Sequence, residues 1–208
     1  MIDYLVIVPI SYLLGSMPFG LIAGKLIKRV DIRSYGSGYT GMTNVQRIVG
    51  TPAAAVVMAL DMGKAVLAVV IARVLFDSTG AEVAAALAVL FGHNWPVFVS
   101  FRGGRGTASG LGGLLILSPI AGLIAALVGV ALIAVTRYVS LGSLTGTALG
   151  SLALIVLAAT GHAPLVYTWF GVIAGLLVVA RHTDNIQRLI RGTERKLGQR
   201  VEMAAGRN

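Results

Sequence analysis

GHNWPVFVSFRGGRGTAS, residues 92–109, is the stretch around which the rest of the chain is organised. It begins apolar and aromatic and ends in Arg102-Gly103-Gly104-Arg105-Gly106-Thr107. Glycines lack a Cβ and let backbone N–H groups approach a ligand closely. A glycine turn that opens into a helix favours an anion, because the first helical amides are unpaired and the dipole is positive there. Long apolar runs lie on both sides. A phosphate cradle set between hydrophobic helices points to a phosphorylated substrate handled at a membrane surface.

The flanking runs are typical of the chain. Of its 208 residues 56% are hydrophobic and 12% charged, with a mean hydropathy of +0.86. Soluble domains carry about 25% charged residues, so this chain lacks the polar surface to cover itself in water. It reads as an all-α integral membrane protein, one polytopic domain over residues 1–208. The 27 glycines agree, since small residues let transmembrane helices pack closely. The net charge of +9 belongs to no free-standing basic helix or basic–aromatic face. It therefore indicates positive-inside bias and anionic substrates or lipids, with no nucleic-acid partner. The absence of cysteine excludes disulfides, thiolate metal sites and cysteine nucleophiles. His93, His162 and His182 lack ligand spacing, so neither a metal nor a cofactor is expected. The first apolar run has no basic segment before it and continues as a full span, so it is expected to stay on the protein.

Residues 4–26 form the first predicted span, kinked at Gly15-Ser16-Met17-Pro18-Phe19-Gly20 because proline breaks the helical ladder. Lys25, Lys28, Arg29 and Arg33 follow and mark a cytoplasmic end. Residues 52–76 run back, with Pro52 at the helix start and with Asp61 and Lys64 three apart on one face, where they suit a structural ion pair. Residues 82–101 return to the arginine loop. Pro119 splits 108–136, and the first piece, about 18 Å long, is shorter than a hydrocarbon core of roughly 30 Å. Spans at 141–160 and 165–180 complete the count. The tail from about residue 181 carries seven basic residues against three acidic ones, which places it in the cytoplasm and is expected to start as a helix. The prediction is a bundle of seven transmembrane helices, N-terminus outside and C-terminus cytoplasmic, some spans short or kinked.

In this topology three polar, glycine-containing stretches share the cytoplasmic face: 33–47, 92–109 and 181–196. In the first, Gly36, Ser37, Gly38, Thr43, Asn44 and Arg47 offer amides, hydroxyls and a guanidinium to a phosphate or polyol. In the second, Arg102 and Arg105 are expected to clamp phosphate, with amides around Gly103, Gly104 and Gly106. In the third, His182 and Asn185 lie three apart, followed by Arg188, Glu194 and Lys196. The nucleotide-binding P-loop pattern is absent, as are the serine-hydrolase elbow, the H-E-x-x-H zinc motif, the H-x-x-x-x-D of the soluble-donor acyltransferases and the D-x-x-D-G of alcohol phosphatidyltransferases.

The three stretches resemble the motifs of the bacterial acyl-phosphate-dependent glycerol-3-phosphate acyltransferases, integral membrane enzymes with seven spans. The first motif, roughly G-S-G-N-x-G-A-T-N-x-x-R, matches at Gly36, Ser37, Gly38, Gly41, Thr43, Asn44 and Arg47. The second, G-H-x-x-P-V-F followed by K-G-G-K-G, matches at Gly92, His93, Pro96, Val97, Phe98, Gly103, Gly104 and Gly106. The third, R-H-x-x-N-I-x-R-L-x-x-G-x-E-x-K, matches at Arg181, His182, Asn185, Ile186, Arg188, Leu189, Gly192, Glu194 and Lys196. The likeness runs over nearly the whole chain. Tyr39 stands where the first motif has asparagine, Met42 where it has alanine, and Arg102 and Arg105 replace the two lysines of the second.

The resemblance implies acyl transfer from acyl phosphate to the 1-hydroxyl of glycerol 3-phosphate, in a bacterial inner membrane with the site at the cytoplasmic face. It implies His182, Asn185, Arg105 and Ser37 as the catalytic group. Gly36, Gly38, Thr43, Asn44, Arg47, Arg102, Gly103, Gly104, Gly106, Ser143 and Arg181 would bind the substrates. No covalent acyl-enzyme is required. The partners are then acyl phosphate, glycerol 3-phosphate and membrane lipid, and a monomer is compatible with them. The alternatives are a transporter of a phosphorylated metabolite, which the nearly bare spans disfavour, and a non-catalytic relative, for which Tyr39 is the evidence.

Overall fold

A computed structural model describes residues 2–199, and these residues form helices joined by turns and by two longer loops, before α3 and before α6. The C-terminal part of the expected tail, including Arg200 and Arg207, lies outside the described residues. The helices are α1 (Ile2–Gly15), α2 (Phe19–Ala23), α3 (Met42–Ile48), α4 (Thr51–Phe76), α5 (Thr79–Asn94), α6 (Thr107–Leu117), α7 (Pro119–Thr136), α8 (Val139–Ala159), α9 (Thr168–Arg181) and α10 (Thr183–Ile190). Five segments are long and apolar enough to cross a membrane, or six if the α9–α10 pair, bent by 59°, counts as one. Leu5, Leu127 and Leu176 are 74%, 68% and 67% exposed. Such a belt of exposed aliphatic side chains is stable only against lipid.

Local chemistry sets the breaks. Helix α1 stops at Gly15 and α2 starts after Pro18, at the predicted kink. Pro52 occupies the first turn of α4, where its missing N–H costs nothing. Helices α6 and α7 meet at Ser118, whose hydroxyl caps α7 by accepting from the Ala121 N–H at 3.4 Å. There the chain doubles back: a Cβ on Gly122 would sit 2.6 Å from the Leu115 Cα. With 11 residues, α6 is the short piece expected before Pro119.

The helices cross where side chains are smallest. A Cβ on Gly15 would collide with the Val89 backbone, and one on Gly142 with the Gly129 carbonyl. These contacts bring α1 onto α5 and α7 onto α8 at backbone distance, the packing mode open to helices in lipid. The core sits between them: Leu90, Leu114, Leu154 and Phe170 fill the centre, and Ile7, Ala68 and Val89 the α1–α4–α5 junction. A third cluster of Leu21, Ile32, Val45 and Val57 roots the loop before α3.

Two polar clusters mark the two ends. At one, Arg73 of α4 pairs with Glu82 of α5 at 2.8 Å, and the Tyr167 hydroxyl donates to the same carboxylate at 2.7 Å. At the other, the tail is strapped to the α7–α8 turn: Leu197 N–H donates to the Arg137 carbonyl at 2.7 Å, and Arg137 Nη2 donates to the Leu197 carbonyl at 2.9 Å. Arg137 and the tail therefore share one end of the bundle.

Candidate active site

The loop between α2 and α3 is held in shape by Asn44, which is 1% exposed. Its Nδ2 donates to the carbonyls of Ile32 (2.9 Å), Tyr35 (3.2 Å) and Tyr39 (2.9 Å), and its Oδ1 accepts from the Ser37 N–H at 3.1 Å. The N–H donors of the carboxamide are thus spent within the loop. Asn44 borders the cleft described below, but it builds the loop, where the sequence suggested a group offered to ligand. Gly36 and Gly38, at φ of 64° and 75°, form the turn and lie off the cleft wall, while Ser37, Thr43 and Arg47 line it.

The arginine loop separates its two guanidinium groups. Ser100 and Phe101 adopt left-handed φ values of 58° and 60° and turn the chain so that Arg102 is exposed. Only Arg105 lines the cleft, which corrects the expected two-arginine clamp. Gly103 and Gly104 serve as a packing seam: the Gly103 carbonyl accepts from Thr40 N–H at 3.3 Å, and the Gly104 N–H donates to the His93 carbonyl at 2.9 Å. A Cβ on Gly104 would collide with His93 Nε2. Gly106 caps α6 at φ 84°, and the unpaired amides of that helix start beside Arg105. Gly106 and Thr107 both line the cleft.

Arg105 is held on two sides. Its Nη2 meets Asp184 Oδ2 at 2.6 Å, and its Cζ lies 4.1 Å from the centre of the Tyr39 ring. Its Nε is buried and without a partner. Burial lowers the pKa of Arg105, as it does that of Arg47, yet a guanidinium stays charged. Two partly desolvated cations and an unspent donor give this wall the chemistry to receive an anion.

The third stretch closes the cleft. At the end of α9, Arg181 donates to the Gly104 carbonyl at 3.0 Å and lies over the Tyr39 and Trp95 rings. His182 follows at the bend, 3% exposed, and burial pushes its pKa down to about 4. Asn185 Nδ2 donates to Glu194 Oε1 at 2.7 Å, leaving its Oδ1 buried and unpartnered. Glu194 also accepts from Ser140 at 3.0 Å and pairs with Arg188 at 2.7 Å; Arg188 reaches Asp184 at 3.1 Å. Glu194, Asp184 and Ser140 were absent from the expected site. Glu194 stood in the third motif, and Asp184 lies four residues before Arg188, the spacing of a helical ion pair.

The cleft encloses about 390 Å³. Its lining joins a polar set, Ser37, Thr43, Arg47, Arg105, His182 and Asn185, with Ser143 one turn beyond Ser140 on α8, to an aliphatic set that includes Met62, Leu111, Leu115, Ala126, Val130 and Ile133. The predicted Asp61–Lys64 pair forms, at 2.8 Å, and His93 joins it, with Nδ1 2.9 Å from Lys64 Nζ. Lys64 also donates to the Gly15 carbonyl at 2.8 Å. This buried triad ties the α1 break to the residue on which Gly104 rests. Of the expected residues, the structure gathers Ser37, Thr43, Asn44, Arg47, Arg105, Gly106, Ser143, His182 and Asn185 around one space. Arg181, Gly103 and Gly104 support it from behind.

The sequence and the fold have counterparts among known proteins. The model of the family described as glycerol-3-phosphate acyltransferase matches residues 5–192. A glycerol-3-phosphate acyltransferase of Thermoanaerobacter pseudethanolicus is 46% identical over 93% of this chain and 96% of its own length. One from Halalkalibacterium halodurans is 45% identical over 92% and 94%. A crystal structure of PlsY, an integral membrane glycerol 3-phosphate acyltransferase, in its glycerol 3-phosphate form superposes with a TM-score of 0.87 at 37% identity, covering 94% of this chain and 96% of that one. The lysophosphatidic acid form gives 0.84 at 36% identity with the same coverage. With the family model spanning most of the sequence and relatives of nearly equal length, the chain belongs to the glycerol-3-phosphate acyltransferase family.

Proposed function

We propose that this protein transfers a fatty acyl group from acyl phosphate to the 1-hydroxyl of glycerol 3-phosphate, releasing lysophosphatidate and inorganic phosphate. The observation that carries the reading is the mixed lining of one cleft. Its cationic and hydroxyl groups suit two phosphates and a glycerol, and its aliphatic side chains suit one acyl chain. In this reading the protein crosses the bacterial cell membrane seven times, with α6 the shortest crossing and the cleft's polar end in the cytoplasm.

Arg105 and the amides at the start of α6 hold one phosphate. Arg47, with Ser37 and Thr43, holds the other together with the glycerol. The glycerol O1 attacks the acyl carbonyl carbon, the carbonyl C–O bond to phosphate breaks, and phosphate leaves with the bonding pair. An acyl phosphate is a mixed anhydride with a good leaving group, so positioning supplies much of the rate. Donors beside the carbonyl steady its developing negative charge. His182 has a weakly basic ring, with a pKa of about 4. It orients the hydroxyl with Asn185, and the proton passes to a substrate phosphate, whose second pKa lies near 6.

The test is an assay of purified protein in detergent or lipidic phase with palmitoyl phosphate and glycerol 3-phosphate, following phosphate release and lysophosphatidate. Palmitoyl-CoA is the control donor. Turnover with palmitoyl phosphate alone is the expected result. Turnover only with palmitoyl-CoA would overturn the choice of donor, and binding of glycerol 3-phosphate without any transfer would overturn catalysis.

A further inference from the structure

Two departures from the family motifs meet in space. Tyr39 stands where the first motif has asparagine, and Arg105 where the second has lysine. Their side chains stack, with the guanidinium carbon 4.1 Å from the ring centre, and both line the cleft. We propose that Tyr39 is the positioning residue for Arg105, so that the two act as one coupled tyrosine–arginine unit.

The chemistry of the two cations explains the coupling. A lysine ammonium is a compact, strongly hydrated charge whose donors want oxygen acceptors, which an asparagine side chain supplies. A guanidinium is flat and weakly hydrated, and it packs face-on against an aromatic ring. In this cleft Arg105 needs both an edge and a face to be fixed. Asp184 holds one edge at 2.6 Å, and the ring holds the face. The buried Nε, free of any partner, is then presented along a defined direction.

The backbone that carries the ring is anchored. The Tyr39 carbonyl accepts from Asn44 at 2.9 Å, and the next residue, Thr40, donates its N–H to the Gly103 carbonyl at 3.3 Å. The platform is thereby bonded to the loop whose arginine it supports. Arg181 lies 5.3 Å from the same ring. Tyr39 thus gives both cations an attractive surface, which lowers the cost of holding them together before an anion arrives. The proposal rests on the acyl-transfer reading only for its kinetic readout.

The experiment is a double-mutant cycle of Tyr39→Asn, Arg105→Lys and the pair, with Tyr39→Phe alongside. It is read on kcat/KM for each substrate and on the separate dissociation constants of glycerol 3-phosphate and palmitoyl phosphate. Each single change is expected to weaken the substrate held by Arg105 by roughly 3- to 30-fold, the range of a desolvated cation–ring contact. The double variant should perform better than the product of the two losses, and Tyr39→Phe should recover most of what Tyr39→Asn loses. Melting temperatures of all variants in detergent separate misfolding from misplacement. Losses that multiply, or a Tyr39→Phe as poor as Tyr39→Asn, would overturn the proposal. A wild type that binds both substrates but transfers nothing would sink the acyl-transfer reading alone, because the binding cycle still reports the coupling.

Discussion

His182 Nδ1 lies 2.7 Å from the carbonyl oxygen of Val178, one helical turn earlier. A carbonyl only accepts, so Nδ1 carries the proton and Nε2 is the acceptor of a neutral ring. The ring sits beyond the last apolar helix, and its pKa is lowered to about 4 by burial first. A lowered histidine pKa favours the neutral form, so the ring loses its proton above about pH 4 and is neutral throughout the working range. If His182 only orients the hydroxyl, the acidic limb of the rate belongs to a substrate phosphate, near pH 6. His182→Gln should then lower kcat by about 10- to 100-fold, at the low end of general-base effects, and leave the limb where it was. A limb that moves or vanishes in this variant would make His182 the titrating base.

Arg105 and Arg102 are separated by two residues and by opposite environments. Arg105→Ala removes a half-buried cation from the cleft wall and leaves Asp184 to Arg188 alone. A charge-assisted contact is worth about 1.5–3 kcal/mol, so kcat/KM should fall roughly 10- to 150-fold. Arg102→Ala removes an exposed charge outside the cleft and should change kcat/KM by less than about twofold, since surface substitutions away from such features cost little. Equal losses in both variants would restore the two-arginine clamp.

Gly104 should tolerate no side chain. Its missing Cβ leaves room for the His93 ring, which Lys64 and Asp61 hold from below. Gly104→Ala must push His93 or the arginine loop aside, at a cost typical of overpacking, about 1–3 kcal/mol. Gly63 on α4 offers the contrast, because a Cβ there meets nothing within 4 Å. Gly63→Ala should be neutral or stabilising by about 0.5–1 kcal/mol, the helical cost of glycine. Melting in detergent together with activity checks both: Gly104→Ala should lose each, and Gly63→Ala neither.

Much of this site is legible in the residues because its signals are local. Pro18, Pro52 and Pro119 announce their own breaks, and glycine with basic residues between apolar runs announces a polar loop between helices. What escaped depends on contacts across the chain. Arg102 and Arg105 look equivalent until Ser100 and Phe101 turn the loop. Asn44 looks like a ligand group until its partners, Ile32, Tyr35, Ser37 and Tyr39, prove to be the loop itself. His93 and Glu194 gain their roles from Lys64, Ser140 and Asn185, which lie 29, 54 and 9 residues away. No periodicity or charge pattern reports such a pairing.

The orientation in the membrane can be read directly, because the chain contains no cysteine and any introduced thiol is the only one present. The strap between Leu197 and Arg137 joins the tail to the α7–α8 turn, and both carry positive charge, which favours the cytoplasm. The turns after α4 and α8 hold few basic residues, and Arg73 near the first of them is neutralised by Glu82 at 2.8 Å. His162→Cys, exposed in the turn after α8, should therefore react with a membrane-impermeant maleimide in intact spheroplasts. Arg195→Cys, exposed on the tail side, should react only after permeabilisation. With Arg105 and Asp184 in contact at 2.6 Å, the α5–α6 loop and the tail face the same side, so the seven-crossing reading takes α6 as a crossing despite its 11 residues. Labelling of Arg195→Cys in intact spheroplasts would place the tail, and the arginine loop with it, outside and overturn the orientation.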